Sequence, residues 1–89
     1  MADGDTRSRL LWMCRRGMRE TEALLSRFVS RRYDRLTREQ RRWFGDFLEQ
    51  SDQDILDWIG ERQAPRRPEF AAIAAMIRAE GWHERYLRR

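Results

Sequence analysis

The chain has 89 residues, 38% of them charged and 40% hydrophobic, with a net charge of +4. A chain this short folds as one small domain spanning residues 1–89, with one modest core and no room to enclose a cofactor as well. No apolar run approaches the ~20 residues that a membrane span needs, so no membrane insertion is expected. The acidic start Met1–Thr6 lacks the apolar segment of a signal peptide and reads as neither that nor a transit peptide. The single cysteine, Cys14, excludes an internal disulfide and points to a reducing, cytoplasmic setting.

All 19 basic residues are arginine, and lysine is absent. That removes Schiff-base chemistry and a P-loop lysine at once. A GC-rich genome is a sufficient reason for the bias, yet arginine also binds carboxylates bidentately and stacks on aromatics better than lysine does. The charge is bipolar. Residues 1–6 carry −2 and residues 7–42 carry +8, whereas residues 43–61 hold no arginine and six acids (Asp46, Glu49, Asp52, Asp54, Asp57, Glu61). Residues 62–89 carry +4.

The hydrophobic periodicity is helical almost throughout, and valine occurs once. A first helix is predicted from Thr6 to Arg16, with Leu10, Cys14 and Gly17 on one face. A second, from Glu20 to Arg32, aligns Leu24, Leu25, Phe28 and Val29, and Tyr33-Asp34-Arg35-Leu36 reads as a connector. Thr37-Arg38-Glu39-Gln40 fits a capping box that opens a third helix, with Leu36, Gln40, Trp43, Phe44, Phe47 and Leu48 facing inward. Ser51-Asp52-Gln53-Asp54 is a second N-cap signal with acids suited to the helix dipole. The fourth helix carries Ile55, Leu56, Trp58 and Ile59 and is predicted to stop at a left-handed Gly60. After the turn Ala64–Pro68, a fifth helix with Pro68 in its first turn uses Phe70, Ile73, Ala74 and Ile77 and ends at Gly81. Residues 1–6 and 82–89 are expected to be loosely held. The fold class is therefore all-α, a small single-domain bundle of five short helices.

Chemistry is sparse. One cysteine and one histidine, Cys14 and His83, do not supply a four-ligand zinc site. Asp52 and Asp54 are explained more cheaply by a helix cap than by a cation. Cys14 occupies an apolar helix position, where a buried and inert thiol is usual, although arginines beside it would lower its pKa if it were exposed. The five glycines are isolated, so there is no phosphate loop. These features point away from an enzyme.

What remains is the segment Trp12–Glu20. At about 100° per residue, Leu10, Met13, Cys14, Gly17 and Met18 share one side of the first helix. Trp12 falls on the other, in an arc of Arg9, Arg15, Arg16 and Arg19 bordered by Glu20. Tryptophan and arginine are enriched at protein–protein hot spots. Gly17 costs about 1 kcal/mol in a helix interior, so it marks either the helix stop or a close backbone approach. A plainer account pairs Arg16 with Glu20 at i, i+4, worth only ~0.2–0.5 kcal/mol, and packs Trp12 on the acidic third or fourth helix.

Arg16-Gly17-Met18-Arg19-Glu20 matches the RGxxE motif, and the chain resembles the succinate dehydrogenase assembly factor family, the SdhE or YgfY type of FAD assembly factor. The resemblance includes Trp12-Met13-Cys14-Arg15, Tyr33-Asp34-x-Leu36 and Leu48-Glu49-x-x-Asp52-x-Asp54-Ile55-Leu56-x-Trp58, and covers roughly residues 7–80. It implies a small five-helix domain and a non-enzymatic maturation factor. Such proteins bind the flavoprotein subunit of succinate dehydrogenase, and in some bacteria of fumarate reductase, and promote covalent attachment of FAD to a histidine of that subunit. No cofactor would be bound stably by the chain itself; FAD would be delivered to or attached on the partner. Position by position, Arg16, Gly17 and Glu20 match the defining residues, Met18 and Arg19 fill the variable places, and Arg9, Trp12 and Arg15 flank them as partner-binding candidates. One departure is visible: members often follow the motif with Leu-Asp, where Thr21-Glu22 stands in this chain, so the arm of residue 22 is longer.

The competing class is nucleic-acid binding through the arginine-rich face. The acidic run from Trp43 to Glu61 would be repelled by phosphate, and no recognition-helix pattern follows a tight helix-turn-helix turn. An antitoxin-like regulatory protein would use the same protein-binding surface.

Overall fold

A computed structural model describes residues 3–80, with side chains described from Arg7 onward. The helices are α1 (Asp3–Met13), α2 (Arg19–Arg32), α3 (Arg38–Leu48), α4 (Asp52–Ile59) and α5 (Pro68–Ala79), with one 3-10 turn at Tyr33–Arg35. The described residues contain no strand, and the predicted all-α bundle of five helices is what forms. None of these helices is long and apolar enough to cross a membrane. The expectations for residues 1 and 2, for the side chains of residues 3–6, and for Gly81, His83 and the tail lie outside the described residues.

Local signals set most of the boundaries. Thr37 Oγ1 accepts from Gln40 N–H at 3.0 Å, and Gln40 Oε1 accepts from Thr37 N–H at 2.9 Å. This reciprocal box satisfies two amide donors that the start of α3 would otherwise leave open. Ser51 Oγ accepts from Asp54 N–H at 3.1 Å and starts α4 in the same way. Pro68 sits in the first turn of α5, where its missing N–H costs nothing.

Three helix ends differ from the sequence reading, the first being the start of α1, which lies at Asp3 and not Thr6. The first helix stops at Met13, not Arg16. Its last bonds run from Cys14 N–H to Leu10 and Leu11 and from Arg15 N–H to Trp12, and the next amides leave the helix for carboxylates elsewhere. At the end of α4, Gly60 is not left-handed, with φ −81°; the positive φ of 60° belongs to Glu61. Glu61 N–H bonds to Trp58 O and Arg62 N–H to Asp57 O, the pair of bonds that defines a Schellman turn. The turn is therefore displaced by one residue, with a glutamate in the place glycine favours.

The core is the one the periodicity predicts: Leu24, Leu25, Phe28 and Val29 of α2 meet Phe44, Phe47 and Leu48 of α3, Ile55, Leu56 and Ile59 of α4, and Phe70, Ile73, Ala74 and Ile77 of α5. Rings join the four helices, with Phe28 and Phe44 centred 5.1 Å apart, Phe47 and Phe70 5.6 Å, and Phe47 and Trp58 5.8 Å. Leu10 and Cys14 bring α1 onto this core. Gln40, Trp43 and Trp58, predicted inward, are only half-buried at its margin, and Thr21, which the pattern did not place inside, is fully buried.

The acidic run is largely answered from within the molecule. Asp46 faces Arg67 at 3.5 Å, Asp52 faces Arg16, Asp57 faces Arg62 at 3.9 Å and Glu61 faces Arg78 at 3.8 Å. Arg78 also donates to the carbonyls of Trp58 and Ile59 at 3.0 and 2.9 Å and so caps α4, which has no basic residue in its own last turn.

Candidate functional site

The segment joining α1 to α2, Cys14–Met18, is held by two carboxylates and one guanidinium. Arg16 N–H donates to Glu22 Oε1 at 3.2 Å, a carboxylate in the first turn of α2. Gly17 N–H donates to Asp52 Oδ2 at 3.2 Å, and Asp52 Oδ1 accepts from Arg16 Nε at 2.5 Å. Arg16 Nη1 reaches Met13 O at 3.2 Å and Leu48 O at 2.6 Å, and Nη2 reaches Gln50 O at 2.6 Å.

One side chain therefore serves four acceptors on three segments. Met13 and Leu48 are the last residues of α1 and α3, neither of which has a basic residue in its last turn. Arg16 supplies the cation that both helix ends favour, and its planar fork meets several carbonyls at once. Its side chain is only 12% exposed. The predicted pairing of Arg16 with Glu20 along a helix does not form, because Arg16 lies outside the helix and four of its five side-chain donors are engaged elsewhere.

Around this anchored loop lies an exposed surface. Trp12 is 67% exposed and does not pack on α3 or α4. Arg15 is also exposed and lays its guanidinium 5.0 Å from the centre of the Trp12 ring. Arg9, Gly17 and Arg19 are exposed, while Glu20, in the first turn of α2, is half-buried. Met18 is the N-cap of α2 and rests against the core. The structure thus separates the candidates: Trp12, Arg15, Arg9, Gly17 and Arg19 face solvent, and Arg16 faces inward to hold the loop. The helical face assigned to Gly17 is absent, since the helix ends four residues earlier, at Met13.

Gly17 meets neither requirement that the sequence suggested. Its φ lies outside the left-handed region, and a Cβ built there would meet Asp52 Oδ2 at 3.6 Å, an ordinary contact. The fold of this chain alone does not need glycine at position 17.

Two residues of the site were missed. Asp52 read as a helix-cap acid, and Glu22 as a departure whose longer arm left its contact open; both are acceptors for the loop. The signal for Asp52 was its place in the DxDIL segment of the resemblance, and the periodicity of α4 carries no hint of it.

Cys14 is fully buried, and burial pushes its thiol from 9.0 up to about 12, with Arg16 lowering it and Glu22 raising it by smaller amounts. It is not poised as a nucleophile. Among the described residues no group of three His, Cys, Asp or Glu is placed to hold a metal ion. What the arrangement exposes is an indole, guanidinium groups and a bare backbone side by side.

Fold and loop together define a small all-helical domain built around a tethered interhelical loop. The family model described as flavinator of succinate dehydrogenase matches residues 8–80. The chain is 38% identical over 76 residues to the FAD assembly factor SdhE of Legionella pneumophila (strain Paris), covering 85% of this chain and 95% of that one. It is 33% identical over 73 residues to the FAD assembly factor SdhE of Pectobacterium atrosepticum, covering 82% and 83%. It is 35% identical over 69 residues to that of Coxiella burnetii, covering 78% and 84%. The chain belongs to the family of flavinators of succinate dehydrogenase. Its relatives are named as assembly factors, a maturation role rather than a catalytic one.

Proposed function

We propose that this protein docks through Trp12, Arg15, Gly17 and their neighbours on the flavoprotein subunit of succinate dehydrogenase and promotes covalent attachment of FAD to a histidine of that subunit. The observation that carries this reading is Gly17: exposed, unstrained, with room for a Cβ, and yet glycine within the motif. A residue that the chain's own fold does not require to be glycine is explained by close approach of a partner's backbone. The exposed Trp12 beside it supplies apolar area for the same contact.

The reacting histidine and the isoalloxazine both belong to the partner in this reading, and the gain comes from orienting them. FAD stays with the partner. The hollows of about 260 and 370 Å³ beside Trp58 and Pro65 are open, lie over α4 and α5, and have no phosphate-cradling glycine loop. A flavoprotein subunit of fumarate reductase would be recognised by the same surface.

The test is in-gel flavin fluorescence of the denatured flavoprotein subunit, produced with the native chain, with Gly17→Arg, with Glu20→Ala or with none. A covalent signal that depends on the native chain and falls with Gly17→Arg supports the reading. Equal signal in every lane removes it. Capture of duplex DNA with sub-micromolar affinity, lost steeply with salt, would favour the nucleic-acid alternative instead.

A further inference from the structure

Asp52 stands outside the RGxxE motif but meets it at two atoms, with Oδ1 on Arg16 Nε and Oδ2 on Gly17 N–H. It is the first residue of α4, directly after the Ser51 cap, so the helix fixes where the carboxylate stands. The loop it holds has no regular structure between Cys14 and Met18. Among the described residues, no other bond is made by the Gly17 amide. Glycine backbone is the freest in the chain, so this single acceptor decides where the exposed Gly17 lies.

We propose that Asp52 is the positioning residue of the docking loop: its carboxylate sets the place and orientation of Arg16 and Gly17, and so the shape the partner meets. This rests on the reading of the loop as the docking surface. Asp52 acts through Gly17 and Arg16, and its own side chain is only 24% exposed. A carboxylate accepts at both oxygens, whereas an amide accepts at one and donates at the other. In Asp52→Asn the amide oxygen is expected to stay with the charged Arg16 guanidinium, the stronger partner, which sets the amide NH₂ against the Gly17 N–H, donor against donor. The start of α4 survives this change, because its cap is the Ser51 hydroxyl.

The experiment compares affinity for the purified flavoprotein subunit of succinate dehydrogenase at a temperature where every variant is fully folded. The variants are Asp52→Asn, Asp52→Glu, Ser51→Ala and Gly17→Arg. Asp52→Asn is expected to bind at least tenfold more weakly, with faster hydrogen exchange at the Gly17 amide and an otherwise native amide spectrum. Asp52→Glu keeps the charge and moves the oxygens by one bond; it is expected to bind at least threefold more weakly. Ser51→Ala weakens the same helix start without touching the loop, and is expected to bind within twofold of native.

Native affinity in either folded Asp52 variant overturns the proposal, as does an equal loss in Ser51→Ala, which would make the effect one of helix stability alone. Gly17→Arg separates the two layers. If it loses binding while Asp52→Asn does not, the positioning role fails and the docking surface stands. If Gly17→Arg also binds like the native chain, the docking reading itself fails.

Discussion

Arg15 covers the indole of Trp12 at 5.0 Å from the ring centre, and the pair faces solvent together. An exposed contact of this kind contributes about 0.5–1 kcal/mol. Trp12→Ala is therefore expected to cost less than about 1 kcal/mol of stability. The same change is expected to weaken binding to the flavoprotein subunit at least tenfold. A thermal melt and a titration with the purified subunit, run side by side, check both halves; a large fall in melting temperature would mean that the ring is packed.

Arg16 should behave in the opposite way. Lysine keeps the charge but presents one ammonium where four acceptors on Met13, Leu48, Gln50 and Asp52 are served by a planar fork. Arg16→Lys is expected to cost about 1–3 kcal/mol in urea unfolding, the range set by losing hydrogen bonds to part-buried carbonyls. A variant as stable as the native chain would show that the fork is dispensable.

The Cys14 thiol offers a test with a sign. Its folded pKa lies at about 12 against 9.0 unperturbed, so the unfolded chain gives up the proton first as pH rises. The stability it contributes is whole below pH 9 and is lost as pH climbs toward 12. Between pH 8.5 and pH 10.5 the native chain is expected to lose more unfolding free energy than Cys14→Ala, the difference isolating this one group. Labelling of the native thiol by a disulfide reagent at pH 8 should follow the rate of unfolding.

Thr21 is fully buried and, among the described residues, its hydroxyl has no partner. An unsatisfied buried hydroxyl costs on the order of 1–3 kcal/mol. Thr21→Val keeps the shape and removes the polar atom, so a gain of about 1 kcal/mol is expected, worth roughly 4–8 °C in melting temperature for a domain this size. No gain would mean that the hydroxyl is solvated.

At the end of α4, Glu61 holds a φ of 60°. Glu61→Gly relieves a left-handed side chain and is expected to stabilise the domain by about 0.5–1 kcal/mol. Loss of its contact with Arg78, 3.8 Å long and largely exposed, subtracts little. A melt lower than native would show that the ion pair outweighs the backbone strain.

What could be read from the sequence was local. The capping box at Thr37 and Gln40 and the cap at Ser51 join residues three apart, and such spacing is visible in a string of letters. The core positions of α2 and α5 follow from periodicity. The end of α1 was hidden, because the pattern continues through Arg16 with no proline and with glycine only at position 17. The helix stops because Asp52 and Glu22 draw the Arg16 and Gly17 amides away, and the nearer of these lies six residues on. The displaced turn at Glu61 was hidden for the reverse reason: glycine at 60 was the obvious candidate, and the neighbouring bonds chose 61. At the site, motif and tryptophan were legible, but the inward role of Arg16 was not, since a wheel drawn on an unbroken helix put it among solvent-facing arginines.

Three of the four acceptors of the Arg16 side chain stand 32, 34 and 36 residues further along the chain. A ribosome releases the loop long before it releases Leu48, Gln50 and Asp52, so the nascent loop has only its local partners, Met13 and Glu22, to close upon. Contacts of such sequence separation form late, after the entropy of closing the intervening chain has been met. The surface proposed for docking thus takes its shape only when the first half of the domain has joined the second. A misfolded or truncated copy ending before Asp52 would carry the whole RGxxE motif and still lack the shape proposed for docking.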